Sequence, residues 1–440
     1  LHFLLVPFDT LSLKTMKKTS LLFVGLLALS FMPAMAAKTI PLVYPVENTG
    51  VSFPKPALPT LEELPVVEPL TDPFMWSATN PYQWKQASKA RSTKFKDWSR
   101  RRAEIAWEIQ HYEIGERPVV HPDSVTAQFV EGQLTVVVRH EGRSLTLTAN
   151  VQLPEGEGPF PAVIGMNMPS GSLPANLFTS RNIALITFSH NQVTTYYRHS
   201  NNDPFYQLYP YLNVDNSGQY AAWSWGVSRL IDGLERCRET LPINLSRLAV
   251  TGCSYAGKMA LFAGAFDERI ALTISQEPGG GGAAAWRVSE TLGKVETLGA
   301  TDYNWFANPM RAFSGANTAQ LPFDHHELCA MVAPRALLMF GNPDYEWLAD
   351  PSGFVSMAAA REVYKTFGIE DRCGYSIEGK HGHCQLPKSQ YPELEAFIDR
   401  FLLGRQDVDT HCTKSTIENQ DVSRWIKWWG SNKPVLTPKP

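Results

Sequence analysis

The stretch Leu248-Ala249-Val250-Thr251-Gly252-Cys253-Ser254-Tyr255-Ala256-Gly257-Lys258 leaves this chain few folds to choose from. It passes from an apolar strand through a turn of small residues into a helical pattern. A serine on so sharp a turn requires small neighbours two residues to either side, here Gly252 and Ala256. The second place is not Gly, and a Ser ahead of a helix is also an ordinary cap, so the turn takes its meaning from its surroundings. Those are further apolar runs of strand length, 162–166, 183–188, 271–275 and 336–340, with helical patterns at 219–237, 256–265, 354–367 and 392–403. Strands apolar on both faces belong to a parallel sheet with helices above and below. The expected architecture is a three-layer α/β/α sandwich around a mostly parallel sheet.

A serine hydroxyl is a weak nucleophile until a base in hydrogen-bond reach takes its proton and a carboxylate orients that base. In the α/β-hydrolase fold, which the serine turn suggests, the order along the chain is Ser, acid, His. The late histidines His381 and His383 follow the run 373–377, read as the last strand, and one of them is the expected base. His325 and His326 precede a strand and read as structural. Two strand ends compete for the acid. One carries Gln276-Glu277-Pro278 ahead of four glycines; the other carries Asp344 and Glu346 in Gly341-Asn342-Pro343-Asp344-Tyr345-Glu346-Trp347. Patterning alone favours Asp344, since most such hydrolases keep the acid there. The six cysteines, Cys237, Cys253, Cys329, Cys373, Cys384 and Cys412, have no zinc-like spacing, and neither a metal nor a cofactor is expected.

The rest of the chain frames this core. Residues 134–139 and 144–152 alternate apolar and polar around Glu141-Gly142, a hairpin pattern. The Pro-rich stretch 53–73 reads as an extended surface arm, 89–111 as an amphipathic helix ending near Gly115, and 417–429 as a last helix packed through Trp425, Trp428 and Trp429. Met16-Lys17-Lys18, the apolar run 20–31 and Ala34-Met35-Ala36 form a secretory signal cut after Ala36. That run of about 12 residues is short of the roughly 20 that span a bilayer. Residues 1–15 then precede the initiator, 16–36 are the signal, 37–118 the arm and helix, 119–410 the catalytic domain and 411–440 a helical tail. The protein is expected to be exported to the periplasm or medium of a bacterium, and to act as a monomer. After cleavage 37 basic face 42 acidic residues, a net charge of -5, which argues against nucleic-acid partners. No membrane partner is expected either, and an even cysteine count suits disulfides.

On these residues the chain resembles the glucuronoyl esterase family of carbohydrate esterases from about Trp98 onward. The shared elements are Gly252-Cys253-Ser254 with Lys258 four residues on, Gln276-Glu277-Pro278 and its glycines, Pro322-Phe323-Asp324 with His326-Glu327-Leu328, Ala333-Pro334-Arg335, Asn342 with Trp347-Leu348, and His383-Cys384. The resemblance implies a Cys253–Cys384 disulfide, which selects His383 as base, and moves the acid to Glu277 with Asp344 or Glu346 in reserve. It further implies Lys258, Glu290 and Trp347 as substrate contacts. It departs at Tyr255, where the family has Arg beside the oxyanion; there the backbone N–H of Tyr255 remains, with a second donor expected near Asn167 or Met168. Hydrolysis of (4-O-methyl-)glucuronoyl esters on glucuronoxylan, releasing lignin-type alcohols, is the implied activity. The Tyr255 substitution keeps open a carbohydrate acetyl esterase, and a non-catalytic polysaccharide-binding relative is the third possibility. The pairing of Cys237, Cys329, Cys373 and Cys412 stays open.

Overall fold

The computed structural model describes residues 39–77, 90–197, 200–431 and 433–439; the expected signal and the residues before it lie outside them. The chain divides into two compact units after Ile40, and the unit from Pro41 on holds the sheet and the site. Ten strands form one sheet, in the order β1-β2-β3-β6-β4-β7-β8-β9-β10-β11. They are β1 (Val125–Val130), β2 (Gln133–His140), β3 (Arg143–Gln152), β4 (Phe160–Met166), β6 (Ala184–Phe188), β7 (Ile243–Cys253), β8 (Ile270–Gln276), β9 (Ala336–Gly341), β10 (Cys373–Ile377) and β11 (Thr413–Ser415), while the short β5 (Pro169–Ser172) stands apart from this order.

The hairpin and the apolar runs fall where the patterning puts them. β2 and β3 pair antiparallel around Glu141 and Gly142, whose φ values of 47° and 78° are the left-handed pair a two-residue hairpin turn needs. From β6 through β4, β7, β8, β9, β10 and β11 every pairing is parallel. Every residue of β8 is buried, which is why its sequence is a near-continuous apolar run rather than an alternation. Leu272 and Ile274 face one layer, packed with Leu394, Phe397 and Phe401 of the helix Tyr391–Phe397 and its extension Ile398–Leu402. Thr273, between them, faces the other layer. There the helix Tyr255–Phe266 comes so near that a Cβ on Gly264 would lie 1.9 Å from the threonine hydroxyl. The three layers are therefore real, and the fold is the α/β-hydrolase sandwich.

Three boundaries differ from expectation. The first long helix starts at Phe95 rather than 89 and ends through a π-turn, Gln110–Ile114, at Gly115. The run 417–429 holds only a single-turn helix, Ser423–Ile426. Its tryptophans do pack inward: Trp425 and Trp428 are buried, and the Trp428 and Trp429 indoles both donate to the Leu70 carbonyl, at 2.8 and 3.0 Å. They meet the end of the Pro-rich arm, whose residues 69–73 are buried rather than on the surface. Finally, 373–377 is not the last strand. β11 adds beyond it at the sheet edge, three residues too short and polar to register as a strand in isolation. Among the described residues no helix is long and apolar enough to cross a membrane.

Candidate active site

β7 ends at Cys253, and Ser254 turns the chain into the helix Tyr255–Phe266 with φ 59° and ψ -128°. A non-glycine residue held there costs on the order of 1–3 kcal/mol, so the surroundings must enforce it. They do so by contact. A Cβ on Gly252 would lie 2.3 Å from the Ala256 carbonyl oxygen, and one on Gly257 would lie 2.3 Å from that of Gln276. The close approaches that demand glycine fall at Gly252 and Gly257, with Ala256 between them. The Ser254 N–H donates to the Gln276 carbonyl at 3.0 Å, tying the serine to the strand end that carries Glu277.

Glu277, with φ 44°, is 1% exposed. Its Oε2 lies 2.5 Å from His383 Nδ1, and both carboxylate oxygens accept the Cys384 N–H at 3.1 Å. Cys384 is bonded to Cys253, the residue before Ser254, so serine, imidazole and carboxylate are gathered at the C-terminal ends of β7, β8 and β10. The His383 side chain is 33% exposed, whereas that of Glu277 is 1%. Its neighbour His381 is turned elsewhere, with Nε2 2.9 Å from the Glu378 carbonyl and Nδ1 3.2 Å from Asn342 Nδ2. His325 and His326 are fully buried, on Glu113 and on the Thr71 carbonyl respectively. Cys253, His383 and Cys384 bring a ligand-type atom each within 4.8 Å of one another, but both sulfurs are spent in the disulfide, so the trio does not fit a metal.

The competing acids lie elsewhere. Asp344 is exposed and its Oδ2 accepts the Lys380 N–H at 2.6 Å; Glu346 is exposed. A third carboxyl in the region, not singled out in the sequence, is Asp350, which accepts the Asn342 N–H at 2.7 Å. Burial, helped by the charge of Glu277, pushes it up to about 7.

The other expected contacts divide. Lys258 is buried, 3.1 Å from Glu296 Oε2 and 5.0 Å from the Trp305 ring. Burial holds the Glu296 carboxyl above the usual range against the pull of Lys258. Glu290 is not at this pair; its carboxylate meets the Thr318 hydroxyl at 3.5 Å. Glu296 had no spacing signal, since it belongs to an irregular segment. Trp347 is 51% exposed, and its carbonyl accepts the Glu296 N–H at 3.1 Å. Asn167 does not offer its backbone to an oxyanion: that N–H donates to the Phe188 carbonyl at 2.8 Å, continuing the pairing of β4 with β6. Its side-chain amide instead donates to the Tyr255 hydroxyl at 2.8 Å. The Tyr255 ring leans on Tyr196, 4.3 Å away between centroids. Met168 is exposed. Cys237, Cys329, Cys373 and Cys412 are buried free thiols.

Comparison with known proteins shows the family. A family model described as "Glucuronyl esterase, fungi" matches residues 136–368. A 4-O-methyl-glucuronoyl methylesterase of Thermothelomyces thermophilus is 37% identical over 376 residues, covering 83% of this chain and 90% of the relative. The crystal structure of recombinant glucuronoyl esterase from Sporotrichum thermophile matches with a TM-score of 0.74 at 36% identity, over 83% of this chain and 96% of that one. A mutant of the Sporotrichum thermophile esterase in complex with methyl 4-O-methyl-beta-D-glucopyranuronate matches with the same score, 0.74, at 34% identity over 87% and 100%. The family model is of fungi, so these relatives give no support to the expected bacterial source.

Proposed function

Because this chain belongs to the glucuronoyl esterase family, we propose that it hydrolyses esters of glucuronic and 4-O-methyl-glucuronic acid, with Ser254 as nucleophile, His383 as base and Glu277 as the acid that orients it. The reading rests above all on one contact, the 2.5 Å approach of Glu277 to His383 Nδ1, in a loop bonded to the residue before Ser254. With Nδ1 occupied, Nε2 is the nitrogen that takes the Ser254 proton as the oxygen attacks the ester carbonyl. The developing oxyanion meets the Tyr255 N–H at the start of its helix, where backbone donors have no intrahelical partner. The ester C–O bond then breaks, the imidazolium returns its proton to the alcohol, and water repeats the cycle on the acyl-enzyme. Lys258 and Trp347 are the proposed contacts to the uronate, with Glu296 holding Lys258 in place.

On glucuronoxylan the released alcohol would be of the lignin type. The export signal in the sequence supports action outside the cytoplasm. Steady-state hydrolysis of methyl glucuronate by wild type and Ser254→Ala tests the reading, with a loss of about 10⁴-fold or more expected in the variant. The second reading, a carbohydrate acetyl esterase, is favoured by Tyr255 alone. Faster turnover of acetylated xylan than of methyl glucuronate would replace the first reading with the second, and wild type inert on both would leave a polysaccharide-binding protein.

A further inference from the structure

The acyl side of the site is the side the relatives describe; the alcohol side has no assigned residue. We propose that Tyr345 forms the leaving-alcohol subsite and selects for alcohols that carry an aromatic ring next to the ester oxygen. The proposal rests on the reading of His383 as the group that returns the proton. A departing alkoxide must lie within roughly 3 Å of the nitrogen that protonates it, so its first carbons lie within a few ångströms of the imidazole. Tyr345 stands in that shell. Its ring centroid is 5.1 Å from that of His383, tilted 45° to it, and 40% of the residue is exposed, so the ring is not closed off by protein.

The ring is also held. The Tyr345 hydroxyl accepts the His383 N–H at 2.9 Å, and the Tyr345 N–H donates to the Asn342 carbonyl at 3.2 Å. A ring anchored at both ends presents a fixed face and loses little freedom when a ligand packs on it. Two residues on, the Trp347 carbonyl accepts from Glu296, the partner of Lys258. The short segment from Tyr345 to Trp347 therefore reaches from the imidazole, where the alcohol leaves, to the ion pair proposed for the acyl group. One aromatic side chain serves each half of the ester.

The test is the ratio of kcat/KM for benzyl over methyl esters in wild type, Tyr345→Ala, Tyr345→Phe and Trp347→Ala, measured on glucuronates and on acetates. A ratio taken within one preparation is unaffected by the fraction folded. Ring contacts of this kind are worth about three- to tenfold, so Tyr345→Ala should lose about that much of the benzyl preference. Tyr345→Phe should keep the ratio while both esters slow together, since only the acceptor for the His383 N–H is gone. Trp347→Ala should slow both glucuronates alike. An unchanged ratio in Tyr345→Ala, or a ratio that follows Trp347 instead, overturns the subsite. Preference for acetates over glucuronates would overturn the functional reading while the acetate pair still decides the role of Tyr345.

Discussion

The loops that follow β8 and β9 begin alike, each leaving a buried parallel strand and each carrying a carboxylate within a few residues, yet they end in opposite environments. Glu277 comes directly off β8. Its N–H donates to the Phe340 carbonyl of β9 at 2.8 Å, and its carboxylate is covered by the His383 ring and the Cys384 N–H. Asp344 comes three residues past the end of β9 and faces solvent, where it holds the Lys380 N–H of the histidine loop. A carboxylate can fix an imidazole only if water does not compete for it, and nearness to the strand end decides this. In the proposed triad the β8 loop orients the ring, while the β9 loop supports the backbone on which the ring is mounted, through Asp344 and Tyr345.

The contrast is sharpest in mutants. Glu277→Ala should lower kcat/KM on methyl glucuronate by about 10³–10⁴-fold, and a loss no greater than that of Asp344→Ala would break the comparison. Next in size, replacing both Cys253 and Cys384 by Ser opens a loop of 131 residues and should cost about 3–5 kcal/mol in urea unfolding, because the unfolded chain regains the freedom the link removes. Asp350→Asn tests the buried end of the β9 loop through pH. Asp350 keeps its proton in the folded state up to about 7, whereas the unfolded chain releases it near 4. Its contribution to stability therefore falls as pH rises through that window. The variant should gain on wild type between pH 4.5 and 8 in thermal melts, and parallel curves would contradict the assignment. Asp344→Ala should cost less than about tenfold in activity, through the Lys380 backbone alone, and Glu346→Ala should leave kcat/KM within about twofold.

Much of this was legible in advance. The strand cores, the hairpin and the serine turn all rest on local patterns of small and apolar residues, and local patterns are what a sequence exposes. The choice of acid was not, since Glu277 and Asp344 differ in which backbone covers them, a property of residues more than 30 positions away along the chain; only the resemblance favours Glu277, the acid proposed above. Glu296, Asp350 and Tyr345 were missed for the same reason. Asn167 was misjudged because its N–H extends a β-sheet pairing that no turn pattern announces. The run 417–429 holds only one helical turn because Trp428 and Trp429 pack by reaching to the Leu70 carbonyl, which needs no helical period.

The sulfur link between Cys253 and Cys384 encloses everything from Ser254 to His383 in one covalent ring, and Glu277 lies inside it. A protease that clips an exposed loop anywhere in this span cannot separate the two pieces. The clipped form would run as a single band on a non-reducing gel and as two bands once a thiol is added.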